Sequence, residues 1–212
     1  MAQPPHARLT LDRIVALSDG VIAIVLTILV LGIEVPENAD FSPSGLLRLL
    51  ESMGHDIFVY AVSFVVIGGY WLQHHVIFHY PRYGSRKLAW LNLLFLLLLS
   101  LIPFTTQLKS AYRAEPVVMV IMASLHMLVW LMLASISFYI TRDRDLMPVP
   151  LDPQVERLVR IRTVVGLLIC FAAIGFAFVS PHLAPAILLA LPLMSIRRSA
   201  ADSHWGPEAA SD

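Results

Sequence analysis

The stretch that decides the fold runs from Arg13 to Pro36 and reads RIVALSDGVIAIVLTILVLGIEVP. Ser18 and Asp19 are favoured N-cap residues, so the plainest reading starts a helix at Val21. That helix would end at Ile33 and measure roughly 20 Å, too short for a hydrocarbon core of ~30 Å. A helix that crosses must begin near Arg13, which buries Asp19 ~9 Å inside one end. An acid at that depth is costly and needs a partner and a polar or protein-facing side.

The rest of the chain supports a bilayer as solvent. Of 212 residues, 58% are hydrophobic and 14% charged, with a mean hydropathy of +0.74. A soluble domain of this size does not show that balance. Formal net charge is zero, which excludes the basic surface of a nucleic-acid partner. The single cysteine, Cys170, permits no intrachain disulfide and no cysteine metal site. Met1 to Thr10 leads into an apolar run that lacks a small-residue cleavage site, so no cleaved signal peptide is expected.

Beyond the first span, apolar segments of membrane length follow at Leu46 to His79, Leu88 to Leu108, Val117 to Ile140 and Ile161 to Ser180. A shorter segment, Leu183 to Ile196, contains Pro185 and Pro192. Charge argues that it also crosses. With six crossings and an inner N-terminus, Arg8, Arg13, Arg82, Arg86, Lys87, Arg142, Arg144, Arg157, Arg160, Arg162, Arg197 and Arg198 all fall inside. Only Arg48, Lys109 and Arg113 fall outside, a strong positive-inside bias. The expected fold class is therefore all-α, a polytopic membrane protein of six transmembrane helices with both termini cytoplasmic. The helices are expected at about 13–34, 46–79, 87–108, 116–140, 157–180 and 183–197, one unit over 1–198 without internal repeat. Residues 199–212 are expected to form a disordered cytoplasmic tail. Pro36, Pro43 and Gly45, then Pro81 and Gly84, then Pro148, Pro150 and Pro153 mark the connections. The first outer loop carries Glu34, Glu37 and Asp40, which would concentrate cations at an outer mouth. The start of the second helix, Leu46 to Asp56, is amphipathic through Arg48, Glu51, His55 and Asp56 and is expected to project past the outer headgroups.

Depth along each helix nominates partners for the buried acid. Trp71, His74 and His75 lie near the inner end of the second helix and Asn92 near that of the third, at the height of Asp19. A cluster of Ser18, Asp19, the Trp71 indole, a histidine and Asn92, with Arg13 at the helix start, would tie three helices together in the inner leaflet. Such a cluster is either packing glue or part of a gate. Above Asp19 the first helix is apolar on nearly every side, and the stripe with its only hydroxyl is Ile24, Thr27, Ile28 and Leu31, at i, i+3, i+4 and i+7. Read alone, that stripe is a packing or lipid face.

These residues resemble the bacterial relatives of the lysosomal potassium channel called transmembrane protein 175. That family's signature is an Arg, three residues and Phe-Ser-Asp near the start of the first helix, and here Arg13, Leu17, Ser18, Asp19 and Gly20 stand in those places. Trp71-x-x-His74-His75-x-x-Phe78, Asn92-Leu-Leu-Phe95 and Pro103-Phe104 continue the match. Leu17 in place of the aromatic is a departure that loosens packing beside the Ser-Asp pair and leaves its polar chemistry intact. The resemblance implies a homotetramer in the bacterial inner membrane, with four first helices around a pore. It implies an apolar constriction at Ile24, a selectivity position at Thr27, and Ile28 and Leu31 along the same wall. Permeant K+ would pass near Ile24 and Thr27, with no fixed metal, no other cofactor, no soluble substrate, and membrane lipid as the surrounding partner. A ring of branched aliphatic side chains gates by dewetting and favours potassium, which sheds water more readily than sodium.

Rival readings rest on less. Val66-Ile67-Gly68-Gly69-Tyr70 only superficially resembles a carbonyl filter and lies within a continuous helical run. Arg157, Arg160 and Arg162 precede a span and read as a topology anchor, not a voltage sensor. His75 and His79 at i, i+4 lack an accompanying acid, and His126 beside Trp130 is expected to bond Ser124 or a carbonyl on another helix. A secondary transporter would show paired broken helices, whereas only the sixth segment is interrupted by proline. The transporter is the principal alternative, and a histidine-ligated redox protein or an enzyme the lesser one.

Overall fold

A computed structural model describes residues 10–33, 42–147 and 153–196. The outer-loop acids Glu34, Glu37 and Asp40, the prolines 36, 148 and 150, the arginines 8, 197 and 198, and the tail 199–212 lie outside the described residues.

The first span is helix α1 (Leu11–Ile28), prolonged by a 3-10 turn (Leu29–Gly32). Together they make 22 residues, so Ser18 and Asp19 sit inside the helix and cap nothing. Helix α2 (Pro43–Phe78) has 36 residues, roughly 54 Å, which carries it well past a bilayer core. Ser42 starts it by accepting from the Gly45 amide at 3.1 Å, with Pro43 at a position where no amide hydrogen is needed. Val66 to Tyr70 lies wholly within α2, without the loop that a carbonyl filter needs.

The third span divides into α3 (Arg86–Ser100) and α4 (Ile102–Ala111). Pro103 has no amide hydrogen for the turn before it, so the ladder breaks at Leu101, whose amide bonds Leu98 O at 3.2 Å instead. Ser85 caps α3 through the Leu88 amide at 3.1 Å. Helices α5 (Pro116–Arg142) and α6 (Pro153–Ala177) follow.

The last apolar segment is not one helix. It forms α7 (Ala184–Ile187) and α8 (Ala190–Ile196), because Pro192 has no amide hydrogen to return to Leu188 O, while Pro185 stands in the first turn of α7, where none is needed. The Leu188 carbonyl freed in this way accepts from Leu191 N, and Leu188 N in turn donates to Pro185 O, both at 3.0 Å. Ala184, Leu188 and Leu191 are buried, which keeps the irregular backbone away from lipid, as a membrane requires. Five helices are long and apolar enough to cross; the sixth segment is shorter, roughly 20 Å over residues 184–196.

Helix α5 is the centre of the bundle, buried along its length from Val118 to Ile140 and packed on α2, α3, α4 and α6. Trp130 of α5 lies on Gly166 of α6 so closely that a Cβ there would stand 2.1 Å from the indole. The Trp130 Nε1 donates to Thr163 O at 3.1 Å. In the same way Gly69 of α2 admits Pro192 of α8, a Cβ at 2.7 Å being the alternative. In a bilayer, where apolar burial drives helices together only weakly, such close approaches supply the packing.

The two ends of the bundle differ in charge. At one end the Arg82 amide bonds Leu146 O at 3.1 Å, Ser85 meets the Tyr139 hydroxyl at 3.1 Å, and Lys87 lies over the Tyr139 ring. This basic end gathers Arg82, Arg86, Lys87, Arg142, Arg144, Arg157 and Arg160. At the other end Arg113 binds Asp56 at 2.8 Å and Ser52 O at 3.1 Å, and the buried Lys109 donates to Arg113 O.

Candidate functional site

Helix α1 lies at the edge of the bundle and packs on α2, α3 and α4. Its inward face consists of Ile14, Ser18, Ile22, Val25 and Leu29, spaced at three and four residues as a helix stripe requires. Among these, Ser18 is the polar one, and it is fully buried.

Ser18 donates to Ile14 O at 2.9 Å, one turn back, and accepts from Asn92 Nδ2 of α3 at 2.8 Å. The Asn92 Oδ1 then accepts from His74 Nε2 of α2 at 2.9 Å. The His74 ring is held between Phe78 and Phe95, with centroids at 4.2 and 5.4 Å. All three polar side chains are buried. Every strong donor and acceptor that the trio points at its members is used, so the network fixes the height and rotation of α1 against α2 and α3.

Asp19 turns the other way. It lies on the exposed side of α1, where the Trp71 Nε1 donates to its Oδ1 at 2.9 Å. His75 stands beside that indole with ring centroids 5.9 Å apart. The structure thus brings Ser18, Asn92 and His74 into one group and Asp19 and Trp71 into a second, with His75 at its rim. Arg13 is exposed, and its side chain makes no hydrogen bond among the described residues. It stands ~9 Å below Asp19 along the helix, out of reach of both groups.

The stripe Ile24, Thr27, Ile28 and Leu31 falls on the outward face of α1. In the protomer Ile24 is 57% and Leu31 72% exposed. Thr27 is exposed too, and its hydroxyl donates to Ile24 O at 2.8 Å. With that hydrogen committed to its own helix, the exposed Thr27 oxygen is left with lone pairs to accept and no hydrogen to donate. Ala16, Gly20 and Ala23 share the exposed side, and a Cβ on Gly20 would meet nothing within 4 Å. The outward face therefore combines small residues low down with a branched apolar wall above, beginning one turn beyond a carboxylate.

Several ties escaped the sequence. Ser63 and Thr106 are hydrogen-bonded at 2.9 Å between α2 and α4. His126 pairs through Nδ1 with the Tyr70 hydroxyl of α2 at 3.0 Å, not with Ser124, which points to another side of its own helix. In the sequence Tyr70 stands out only as the end of the filter-like string Val66 to Tyr70. Among the described residues no three His, Cys, Asp or Glu side chains converge as a metal site would need.

Comparison with known proteins bears on this arrangement. Residues 13–103 match the family described as endosomal/lysosomal potassium channel TMEM175. A potassium channel of Streptomyces collinus is 36% identical over 188 residues, covering 87% of this chain and 89% of that protein. The human endosomal/lysosomal proton channel TMEM175 is 36% identical over 118 residues, 52% of this chain but only 23% of its own length. Among solved structures, that of a lysosomal potassium-selective channel TMEM175 homolog from Chamaesiphon minutus superposes with a TM-score of 0.74 and 26% identity, covering 87% of this chain and 95% of that one.

Proposed function

This chain belongs to the TMEM175 channel family and is an integral protein of the bacterial cell membrane, and from that premise we propose that it is one subunit of a homotetrameric, potassium-preferring, leak-like channel lined by α1. The family makes it a cation channel and not an enzyme. One α1 cannot enclose a path, so a pore built from it requires copies of the chain around an axis.

The observation that carries the reading is the orientation of α1. Its polar and apolar inward stripe is locked to α2 and α3 by Ser18, Asn92 and His74, and this turns Ile24, Thr27, Ile28 and Leu31 to the unpartnered side. Four Ile24 side chains facing an axis form a dry ring that water deserts, so the ring is both gate and barrier. An ion crossing it sheds hydration, and potassium does so at lower cost than sodium. The Thr27 oxygens one turn on return part of that hydration. Asp19, toward the basic end, adds negative charge at the mouth opposite Leu31 and raises the local cation concentration. Ala16 and Gly20 allow four helices to approach closely below the ring.

The direct test is electrical. Purified full-chain protein in planar bilayers under asymmetric KCl is expected to give unitary cation currents reversing near the potassium equilibrium potential. Silence from bilayers with verified insertion would defeat the reading. Because mammalian relatives are named proton channels, the same bilayers under a proton gradient measure whether protons share the path.

A further inference from the structure

Helices α5 and α6 form the most extensive helix pairing in the bundle. Trp130 pinned on Gly166 and bonded to Thr163 O marks the point of closest approach. Between there and the basic end the two helices enclose a groove of about 630 Å³. That volume is in the range of organic ligand sites. Its floor is apolar: Leu131, Ala134 and Phe138 from α5 face Val159 and Val164 from α6. Three of its four hydroxyls are already spent: Ser135, Thr141 and Thr163 donate to Leu131 O, Phe138 O and Val159 O of their own helices, so most of the wall suits a hydrocarbon chain.

The mouth is different. Arg142 ends α5 with its guanidinium 4.7 Å above the Phe138 ring, an exposed cation at the mouth of the groove. Arg160 stands across the groove in an ion pair with Glu156 at 3.1 Å. Both partners of that pair are largely exposed, 75% and 59%, so the pair is worth little and exchanges readily for a better anion. Among the described residues Glu156 is the one carboxylate lining the groove.

We infer that this groove is a binding site for an anionic phospholipid of the leaflet at the basic end. The acyl chains lie along Leu131, Phe138 and Val164, and the phosphate lies between Arg142 and Arg160. A basic mouth on an apolar cleft between spans is the chemistry that selects an acidic headgroup over a zwitterionic one. The location fits a lipid as occupant and not a second copy of the chain wrapped on α1. Helix α1 packs on α2, α3 and α4, whereas α6 packs on α5, α7 and α8, so the groove opens on the side of the subunit away from α1. The site requires only the membrane location of the chain and is independent of the pore reading. Currents without lipid preference, or lipid preference without currents, would separate the two.

The test counts bound lipid. Full-chain protein in dodecyl maltoside is titrated with dioleoyl phosphatidylglycerol or dioleoyl phosphatidylcholine and read by native mass spectrometry, which also reports the oligomer as a check on folding. Phosphatidylglycerol is expected to be retained more tightly. Arg142→Gln and Arg160→Gln are each expected to weaken it about five-fold and to leave phosphatidylcholine unchanged. Arg144→Gln, an exposed arginine outside the groove, is expected to leave both lipids as they were. Val164→Trp, which fills the cleft from a lipid-exposed position, is expected to lower retention of phosphatidylglycerol with both arginines intact. Equal retention of the two lipids, insensitivity to both arginine substitutions, or displacement by acyl-free glycerol phosphate at matched concentration would each overturn the proposal.

Discussion

Ile24 projects from the unpartnered face of α1, 57% exposed, and everything proposed for permeation passes through the consequence of that exposure. If the face meets an axis, Ile24→Asn replaces a dewetting ring by four amides that hold water, and unitary conductance is expected to rise several-fold. Thr27→Ala removes the oxygen one turn on while keeping the helix. It is expected to leave current flowing and to move the potassium-to-sodium permeability ratio, read as a shift in bi-ionic reversal potential. Normal permeation in both variants would assign the path to another helix. On the opposite face, Asn92→Ala deletes the link between Ser18 and His74 and leaves the buried His74 Nε2 without its acceptor, while Ser18 keeps its bond to Ile14 O. The expected loss is about 1–2 kcal/mol, seen as a lower unfolding temperature in detergent. Asp19→Asn keeps a carbonyl oxygen for the Trp71 indole, so fold and assembly are expected to survive while the charge at the mouth is lost. Reduced conductance at low KCl, recovered at high KCl, is the signature of that loss.

The elements themselves were largely legible, because a bilayer makes helix length and end charge nearly sufficient. Hydropathy placed the five long helices within a few residues of where they lie, and the prolines foretold trouble in the last segment. They pointed to an interruption there without giving its place, ahead of Pro192 between α7 and α8, and they did not foretell that Pro103 would interrupt the third span at Leu101. Depth is linear in residue number along a membrane helix, which is why the heights of Asn92, His74 and Trp71 could be matched to Ser18 and Asp19 in advance. Rotation about the helix is not, since an apolar helix gives no period to read. The assignment of Ser18 inward and Asp19 outward therefore needed the structure, as did the pairing of Tyr70 with His126 and of Ser63 with Thr106. Glycine contacts are equally silent in sequence. Gly166 looks like any helix glycine until Trp130 is found on it, and Gly166→Leu is expected to force α5 and α6 apart. The cost is about 3 kcal/mol or more through overpacking. Gly175→Leu, at a glycine whose added Cβ would meet nothing within 4 Å, serves as the control and is expected to change the unfolding temperature little.

At the scale of the whole molecule, the protomer is asymmetric in a way that suits assembly. Helix α5 lies at the centre with one face open, α6 lies out at the far edge, and α1 presents an apolar wall with nothing against it. A lipid-facing α1 and an axis-facing α1 would look alike in a single subunit, so the distinction must be made between subunits. Ile24→Cys makes it. Copies arranged around α1 bring four such thiols to the narrowest point, where mild oxidation joins them in pairs and gives a covalent dimer on non-reducing gels. Cys170 is buried and is not expected to react from within the fold. Leu97→Cys, on the exposed side of α3 at 58% exposure, is the matched control and is expected to stay monomeric. If the two thiols cross-link equally, or if Ile24→Cys does not cross-link at all in membranes that carry current, then α1 faces lipid and the permeation path belongs elsewhere in the bundle.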